Sequence, residues 1–183
     1  MKKTIAILGV DGTGKSTVID KLSNKLYDRC FVQYMGYRSF ENPKIEMIQK
    51  KTDRTRWDTL YRIWLIYLCY WKRYNNAVNS EKIVLFDRYV HEIYINAKGF
   101  YRLLYTFLYK YLYPKPKRIV YLYCSSEISF KRKSDILDPA AFKAMKKRFD
   151  DIFLNNKDCL CLNTEKQTAD EIVEIILNSI NHI

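Results

Sequence analysis

Residues 9–16 read G-V-D-G-T-G-K-S, and Thr17 follows. A lysine and a hydroxyl set behind glycines at this spacing suit one task, gripping a chain of phosphates. Gly9, Gly12 and Gly14 allow backbone N–H groups to converge on phosphate oxygens without Cβ clashes. Lys15 offers a mobile cation to the outer phosphates, and Ser16 offers a hydroxyl to Mg²⁺. Asp11, Thr13 and Thr17 complete the polar complement of the loop. A second reactive pair, Asp87-Arg88, ends the apolar run at 82–86. A carboxylate there can hold a metal-bound water, and a guanidinium can bind phosphate on donor or acceptor. Phosphoryl transfer also gains from a cation placed against the charge that develops on the γ-phosphate. The glycine loop contains no arginine, so the Lys131-Arg132-Lys133 trio is the candidate for a closing lid, with Arg132 foremost. The same trio would serve equally as a solvated helix end.

These groups need elements to hold them. Residues 3–8 form a short apolar run that reads as a buried strand ahead of the loop. Residues 16–27 read as a helix, with Val18, Ile19, Leu22 and Leu26 on one face. Strand, glycine loop and helix are the context that a phosphate cradle requires. Further strands are predicted at 31–35, 82–86, 118–124 and 159–163. The segment 37–51 reads as loop or irregular helix, with Pro43 marking a break. A long helix is predicted over 58–74, its apolar stripe Leu60, Trp64, Tyr67, Leu68 and Trp71. Residues 92–112 read as helix in two pieces broken at Gly99 and ended by Pro114 and Pro116. A short helix follows at 126–133. Asp138 caps another, opened by Pro139 and running to about 153. A capping box at Thr168–Glu171 opens the last, to about 180. Alternating continuous apolar strands and helices imply an α/β fold with a parallel sheet covered on both faces. No repeat or linker interrupts the 183 residues, so the expectation is one domain spanning 1–183.

The formal net charge of +12 favours anionic ligands: nucleotides, nucleic acid or an acidic membrane surface. The longest apolar run beyond the first strand, 63–71, has nine residues, too short to span a bilayer. The N-terminal MKKTIAILGV imitates an export signal, but cleavage would destroy the strand that holds the loop. The five cysteines lack C-x-x-C or metal-ligand spacing, and Cys159 and Cys161 share one strand face. They read as reduced, mostly core thiols of a cytoplasmic protein. Residues 98–133 carry nine Lys/Arg and one acid, Glu127, with Tyr101, Tyr105 and Tyr109 every four residues. That is the composition of a single-strand nucleic-acid platform. Leu104 and Leu108 share the helix, which favours tyrosines packed on the core or a partner subunit. His91, beside the Asp87 motif, and His182, in the tail, both read as bystanders.

The motifs GVDGTGKST at 9–17 and DRY at 87–89 resemble those of the thymidylate kinase family of nucleoside monophosphate kinases. The stretch VYLYCSSEISFKRK at 120–133 resembles that family's strand leading into a lid helix. The resemblance implies a three-layer, five-stranded P-loop kinase fold with a short lid at about 131–138. It implies Mg·ATP-dependent transfer to a nucleoside monophosphate such as dTMP, and a helix-packed homodimer. It would place Lys15 at the β- and γ-phosphates, and Ser16 and Asp87 at the metal. Asp11 would face the acceptor sugar, Arg88 the acceptor phosphate and moving group, and Arg132 adenine or the phosphates. Arg38, past the second strand, would reach the acceptor phosphate. The chain departs from the family after DRY: the Tyr-Gln pair near the acceptor base is absent, and Asn96 would make part of its hydrogen bonds. The long helix lacks the family's clear arginine, so Arg62 or Arg73 would serve. The departures leave open another acceptor, such as a nucleoside, another metabolite or a nucleic-acid 5′ end. A nucleotide-binding regulatory protein with little turnover is the rival of a different class. A guanine switch is disfavoured: Asp87 is not followed by x-x-Gly, and Asn155-Asn156-Lys157-Asp158 has the wrong order.

Overall fold

The computed structural model describes residues 3–36, 42–97, 99–133 and 138–181. Five strands form one parallel sheet: β1 (Thr4–Leu8), β2 (Cys30–Tyr34), β3 (Ile83–Asp87), β4 (Arg118–Tyr123) and β5 (Cys159–Asn163), in the order β2-β3-β1-β4-β5. β1 is buried along its whole length between β3 and β4. Its side chains alternate, as a pleated strand requires. Ile5 and Ile7 enter one apolar cluster, and Ala6 and Leu8 the other.

The first cluster lies under α1 (Lys15–Leu26) and α8 (Ala169–Asn181) and is built of Ile, Leu and Val. Val18, Ile19, Leu22 and Leu26 of α1 face it, as their spacing predicts. Ion pairs from Lys21 to Asp170 (2.8 Å) and from Lys25 to Glu174 tie the two helices at their exposed rim. The predicted capping box opens α8: Thr168 Oγ1 accepts from the Glu171 N–H, and the Thr168 N–H donates to Glu171 Oε2.

The other face carries α3 (Arg56–Val78), α4 (His91–Asn96), α5 (Gly99–Thr106) and α7 (Pro139–Phe153), over a core dominated by Tyr and Phe. α5 runs into a π-helical turn, Phe107–Tyr111. Tyr105 and Tyr109 are buried there and Tyr101 packs against the core, so the regular tyrosines are structural rather than an open stacking platform. Tyr113 Oη donates to the Tyr70 carbonyl (2.6 Å), and Tyr121 Oη to Asp150 (2.7 Å).

Three local expectations are corrected. Pro43 does not mark a break but opens α2 (Pro43–Lys50), with Asn42 Oδ1 accepting from the Lys44 N–H. Proline suits a first helical position, because its missing N–H would have had no helical partner there. The long helix starts earlier than predicted, because Thr55 caps it and Asp58 is the third residue of the capping box. Its inward face is Ile63, Ile66, Tyr67, Tyr70 and Ala77, whereas Trp64 and Leu68 of the expected stripe are exposed. The helix is apolar on two sides, and periodicity alone cannot say which side is buried. Of the cysteines, only Cys124 is fully buried; all five are free thiols, and Cys159 and Cys161 both pack on the aromatic side. Among the described residues, no helix is long and apolar enough to cross a membrane.

Candidate active site

Loops after β1 and β3, and helix α6 (Ser126–Arg132) after β4, leave the same C-terminal edge of the sheet, where ligands of open α/β folds bind. The glycines explain how the first loop sits there. A Cβ on Gly9 would stand 2.5 Å from the Leu122 carbonyl oxygen on β4. One on Gly12 would stand 2.6 Å from that of Ser129 on α6, and Gly12 has φ +81°. The loop therefore passes between β4 and α6 only because both positions lack side chains. Thr13 is fully buried and its hydroxyl donates to the Val10 carbonyl (2.8 Å), which ties the turn shut from inside. α1 starts at Lys15 without a side-chain cap, so its first amides are open to an anion.

The loop forms one wall of a cavity of about 540 Å³. Asp11, Gly12, Gly14, Lys15, Ser16 and Thr17 line it from the loop, and Asp87, Arg88, Arg132 and Lys133 from across the edge. Two motifs separated by 70 residues of chain thus converge on one space, as the sequence predicts. Gly9 and Thr13 stand behind the lining and shape it. Tyr34, at the end of β2, joins the cavity and was not singled out by motif; an isolated tyrosine at a strand end carries no spacing signal.

The charges form a connected set. Arg88 donates to Asp11 Oδ1 (2.8 Å) and, through its other terminal nitrogen, to both Glu92 carboxylate oxygens (2.9 and 3.0 Å). Lys133 reaches Asp11 Oδ2 (3.1 Å). Burial by itself would raise the Asp11 pKa, but Lys133, Arg88 and Lys15 outweigh it and hold the carboxyl below its usual value. Burial would lower the Arg88 pKa, and Glu92 and Asp11 raise it instead, so the guanidinium stays charged. Burial raises the Glu92 pKa, with Arg88 opposing. Lys15 is 7% exposed and donates to the Val10 carbonyl (2.8 Å). Burial, then repulsion from Arg88, brings its pKa down to about 8. Arg132, the foremost lid candidate, is turned to the β5–α8 loop, donating to Thr164 Oγ1 (3.0 Å) and the Thr164 carbonyl (2.8 Å). Its neighbour Lys133 makes the contact with the phosphate loop.

Arg88 has φ +66°, a left-handed conformation that non-glycine residues rarely adopt. Its guanidinium lines the cavity beside the loop and bonds Glu92, which lines a second cleft of about 300 Å³. That cleft is lined by Arg62, Ile66 and Tyr70 of α3, by Glu92, Ile93, Asn96 and Ala97, and by Tyr105. Asn96 is therefore not in the phosphate cavity but in the space adjoining it, joined through Glu92. Of the two alternative arginines, Arg62 enters this cleft, its Nε buried with no partner among the described residues. Arg73 instead donates to the Gly36 carbonyl (2.9 Å). Glu92 was passed over in the sequence because one acid in an amphipathic run has no distinguishing neighbours. Arg38, and residues 134–137 of the expected lid, lie outside the described residues. His91 faces neither space. Among the described residues, no group of His, Cys, Asp and Glu is arranged to hold a metal by itself.

No family model matches the sequence, and no curated protein sequence matches it. Solved structures do match in fold. Deoxyadenosine kinase from M. mycoides, with products dCMP and a flexible dCDP bound, aligns with a TM-score of 0.66 over 98% of this chain and 100% of that one, at 21% identity. The same enzyme with bound dATP gives 0.64 over 97% and 99%, at 20% identity. Thymidylate kinase from Candida albicans gives 0.70 over 99% of this chain and 92% of that one, at 18% identity. Likeness at this identity establishes the fold: a five-stranded parallel sheet between helix layers, of the P-loop kinase type.

Proposed function

We propose that this chain is a Mg·ATP-dependent kinase of one domain that transfers a phosphoryl group to a nucleoside monophosphate, with a dTMP-like acceptor. The observation that carries the proposal is the placement of Arg88. One side chain bonds the phosphate loop at Asp11 and the wall of the adjoining cleft at Glu92. A guanidinium at that junction can follow a phosphoryl group from donor to acceptor without moving far. Lys15, released from the Val10 carbonyl, would bind the β- and γ-phosphates, with the loop amides around them. Ser16 and Asp87 line the same cavity with hard oxygen donors, which suits Mg²⁺ once phosphates and waters fill its remaining positions. Mg²⁺ would supply charge neutralisation on the phosphate oxygens. Asp11 would meet the acceptor sugar, and Asn96 and Arg62 the acceptor base. Arg38 would take the acceptor phosphate.

The lid cation is divided between two residues. Lys133, already bonded to Asp11, would approach the transferred group, and Arg132, against Thr164, would border the adenine. Arg132→Ala should lower turnover tenfold or more, ~1.4 kcal/mol. Lys133→Ala should lower kcat more than it raises the KM for ATP. Unchanged turnover in both variants would remove the lid from the mechanism.

A nucleoside acceptor is the second proposal, favoured by the match to a deoxyadenosine kinase. Labelled ATP incubated with deoxynucleosides, their monophosphates and 5′-hydroxyl oligonucleotides separates the readings by which product carries label. Label found only on oligonucleotides would sink both, and tight ATP binding with no labelled product would point to a regulatory protein. We further propose a homodimer through the outward stripe Trp57, Tyr61, Trp64 and Leu68 of α3, all exposed in the single chain. A two-fold pairing of this helix with its copy would bury the stripe on both. Sedimentation of Trp64→Glu beside the natural protein tests it.

A further inference from the structure

The proposed donor, metal and lid positions leave Glu92 without a task. It stands in the first turn of α4 (His91–Asn96), yet its partner Arg88 lies outside that helix. The pair is therefore not an ordinary bridge along a helix face. It closes across the turn made by the left-handed backbone at Arg88. Only 16% of the Glu92 side chain is exposed, and Arg88 is its one side-chain partner among the described residues. Burial raises the Glu92 pKa and Arg88 opposes it, so the negative charge in this place depends on the guanidinium.

Each terminal nitrogen of Arg88 already serves a carboxylate. One donates to both oxygens of Glu92 (2.9 and 3.0 Å), the other to Asp11 (2.8 Å). The two carboxylates stand on different sides. Asp11 lines the phosphate cavity, and Glu92 lines the cleft with Asn96 and Arg62. They also differ in what they would lose. Asp11 keeps Lys133 at 3.1 Å if Arg88 turns away, whereas Glu92 has no second cation bonded to it among the described residues. An anionic group that comes through the cleft toward Arg88 therefore meets the Glu92 carboxylate. Carboxylate and phosphate bind a guanidinium by the same charge-assisted hydrogen bonds, so they compete for one nitrogen. As like charges they also repel. A hydroxyl does neither, because it is neutral and can donate to the carboxylate.

We propose that Glu92 is a specificity-determining residue, a built-in anion on the acceptor side of Arg88 that the phosphate of a monophosphate acceptor must displace. This rests on the cleft beside Glu92 being the acceptor's, and it deepens that reading by setting a penalty on the acceptor's charge. A nucleoside, whose 5′-hydroxyl is neutral, escapes the penalty. Arg62, the other cation lining the cleft, offers the displaced carboxylate a second partner, so its charge need not be left bare. Discrimination of this kind comes from a repulsive element rather than from an added contact.

Glu92→Gln keeps the shape of the side chain and removes its charge. KM is measured with labelled ATP for a deoxynucleoside and for its 5′-monophosphate, on the natural chain and on E92Q. An acceptor that is not turned over enters as its inhibition constant against the other. The readout is the ratio of the two values, which a merely structural loss would leave alone because it acts on both acceptors. E92Q should lower the monophosphate value about fivefold and move the nucleoside value less than about twofold. An unchanged ratio, or one moved toward the nucleoside, refutes the proposal. An equal fall for both acceptors refutes charge as the cause. Glu92→Met, of similar volume and also uncharged, should act in the same direction and replaces E92Q if that variant does not fold. If the natural chain labels neither acceptor, the kinase reading fails and Glu92 is tested separately by calorimetry. The monophosphate is titrated into both proteins loaded with an ATP analogue that cannot transfer its phosphate. It should bind about fivefold tighter to E92Q. Equal affinity, or binding to neither, refutes the displacement.

Discussion

The two faces of the sheet are built from different materials. Under α1 and α8 the buried apolar core is Ile, Leu and Val. Under α3, α4, α5 and α7 it is rich in tyrosine and phenylalanine, with hydroxyls of Tyr89 and Tyr113 paired to carbonyls and that of Tyr121 to Asp150, and the cleft beside Glu92 and the cleft beside His91 open on this side. Aliphatic side chains interdigitate closely and have no polar atoms to satisfy. That suits the face that holds the start of α1, where the proposed function places the phosphates. Rings with polar tips bring hydroxyls that need partners when buried, which makes this face polar as well as apolar. On the proposed function, the aliphatic face would position chemistry common to any triphosphate, and the aromatic face would carry what discriminates the acceptor.

The difference can be broken experimentally. Leu22→Ala on the aliphatic face, where the residue is fully buried, should cost about 2–5 kcal/mol by calorimetry or denaturant melts. Acceptor preference of the surviving folded protein should not change; an altered preference would erase the division of labour. Arg88→Lys keeps a charge but not the fork that bridges Asp11 and Glu92. Turnover should fall about 100-fold, ~2.7 kcal/mol, with ATP binding largely retained. Asn96→Ala on the aromatic face should raise the acceptor KM about tenfold, ~1.4 kcal/mol, and leave the ATP KM unmoved. A shift in the ATP KM instead would place Asn96 on the donor side.

The smallest effect is a pH dependence at the junction of the two faces. Lys15 must be charged to hold phosphate, and its pKa in the empty site is about 8 against an ordinary 10.5. ATP affinity measured by calorimetry should therefore weaken as pH rises above about 8, and less so in Lys15→Ala. Stability of the empty protein moves the other way. Between about pH 8 and 10.5 the unfolded chain binds more protons at this lysine than the folded one, so this group's contribution to stability rises with pH.

Much of the site was legible because its signals are local. The loop at 9–17 has its glycines, lysine and serine at set distances along the chain, and Asp87-Arg88 follows a strand recognisable by its unbroken apolar run. The strands, the Asp138 and Thr168 caps and the helix after Pro139 were likewise readable from nearest neighbours. Glu92, Tyr34 and Arg62 were harder, because what singles them out is the residue across the space: Arg88, the phosphate loop and Asn96. The inward side of α3 was misread for a related reason. A helix with Trp, Tyr and Leu around much of its circumference reveals which face is buried only when the sheet arrives.

What the chain dictates by itself is thus a parallel α/β sheet, a phosphate loop at the end of its first strand and an acidic-basic pair at the end of its third. These depend on spacings of a few residues, and short spacings survive without knowledge of the fold. The tertiary structure decided that Arg88 bonds Asp11 on one side and Glu92 on the other, and that Lys133 rather than Arg132 meets Asp11. Each of those depends on side chains brought together across tens of residues, where left-handed backbone at Arg88 and packing of rings, rather than sequence distance, set the geometry.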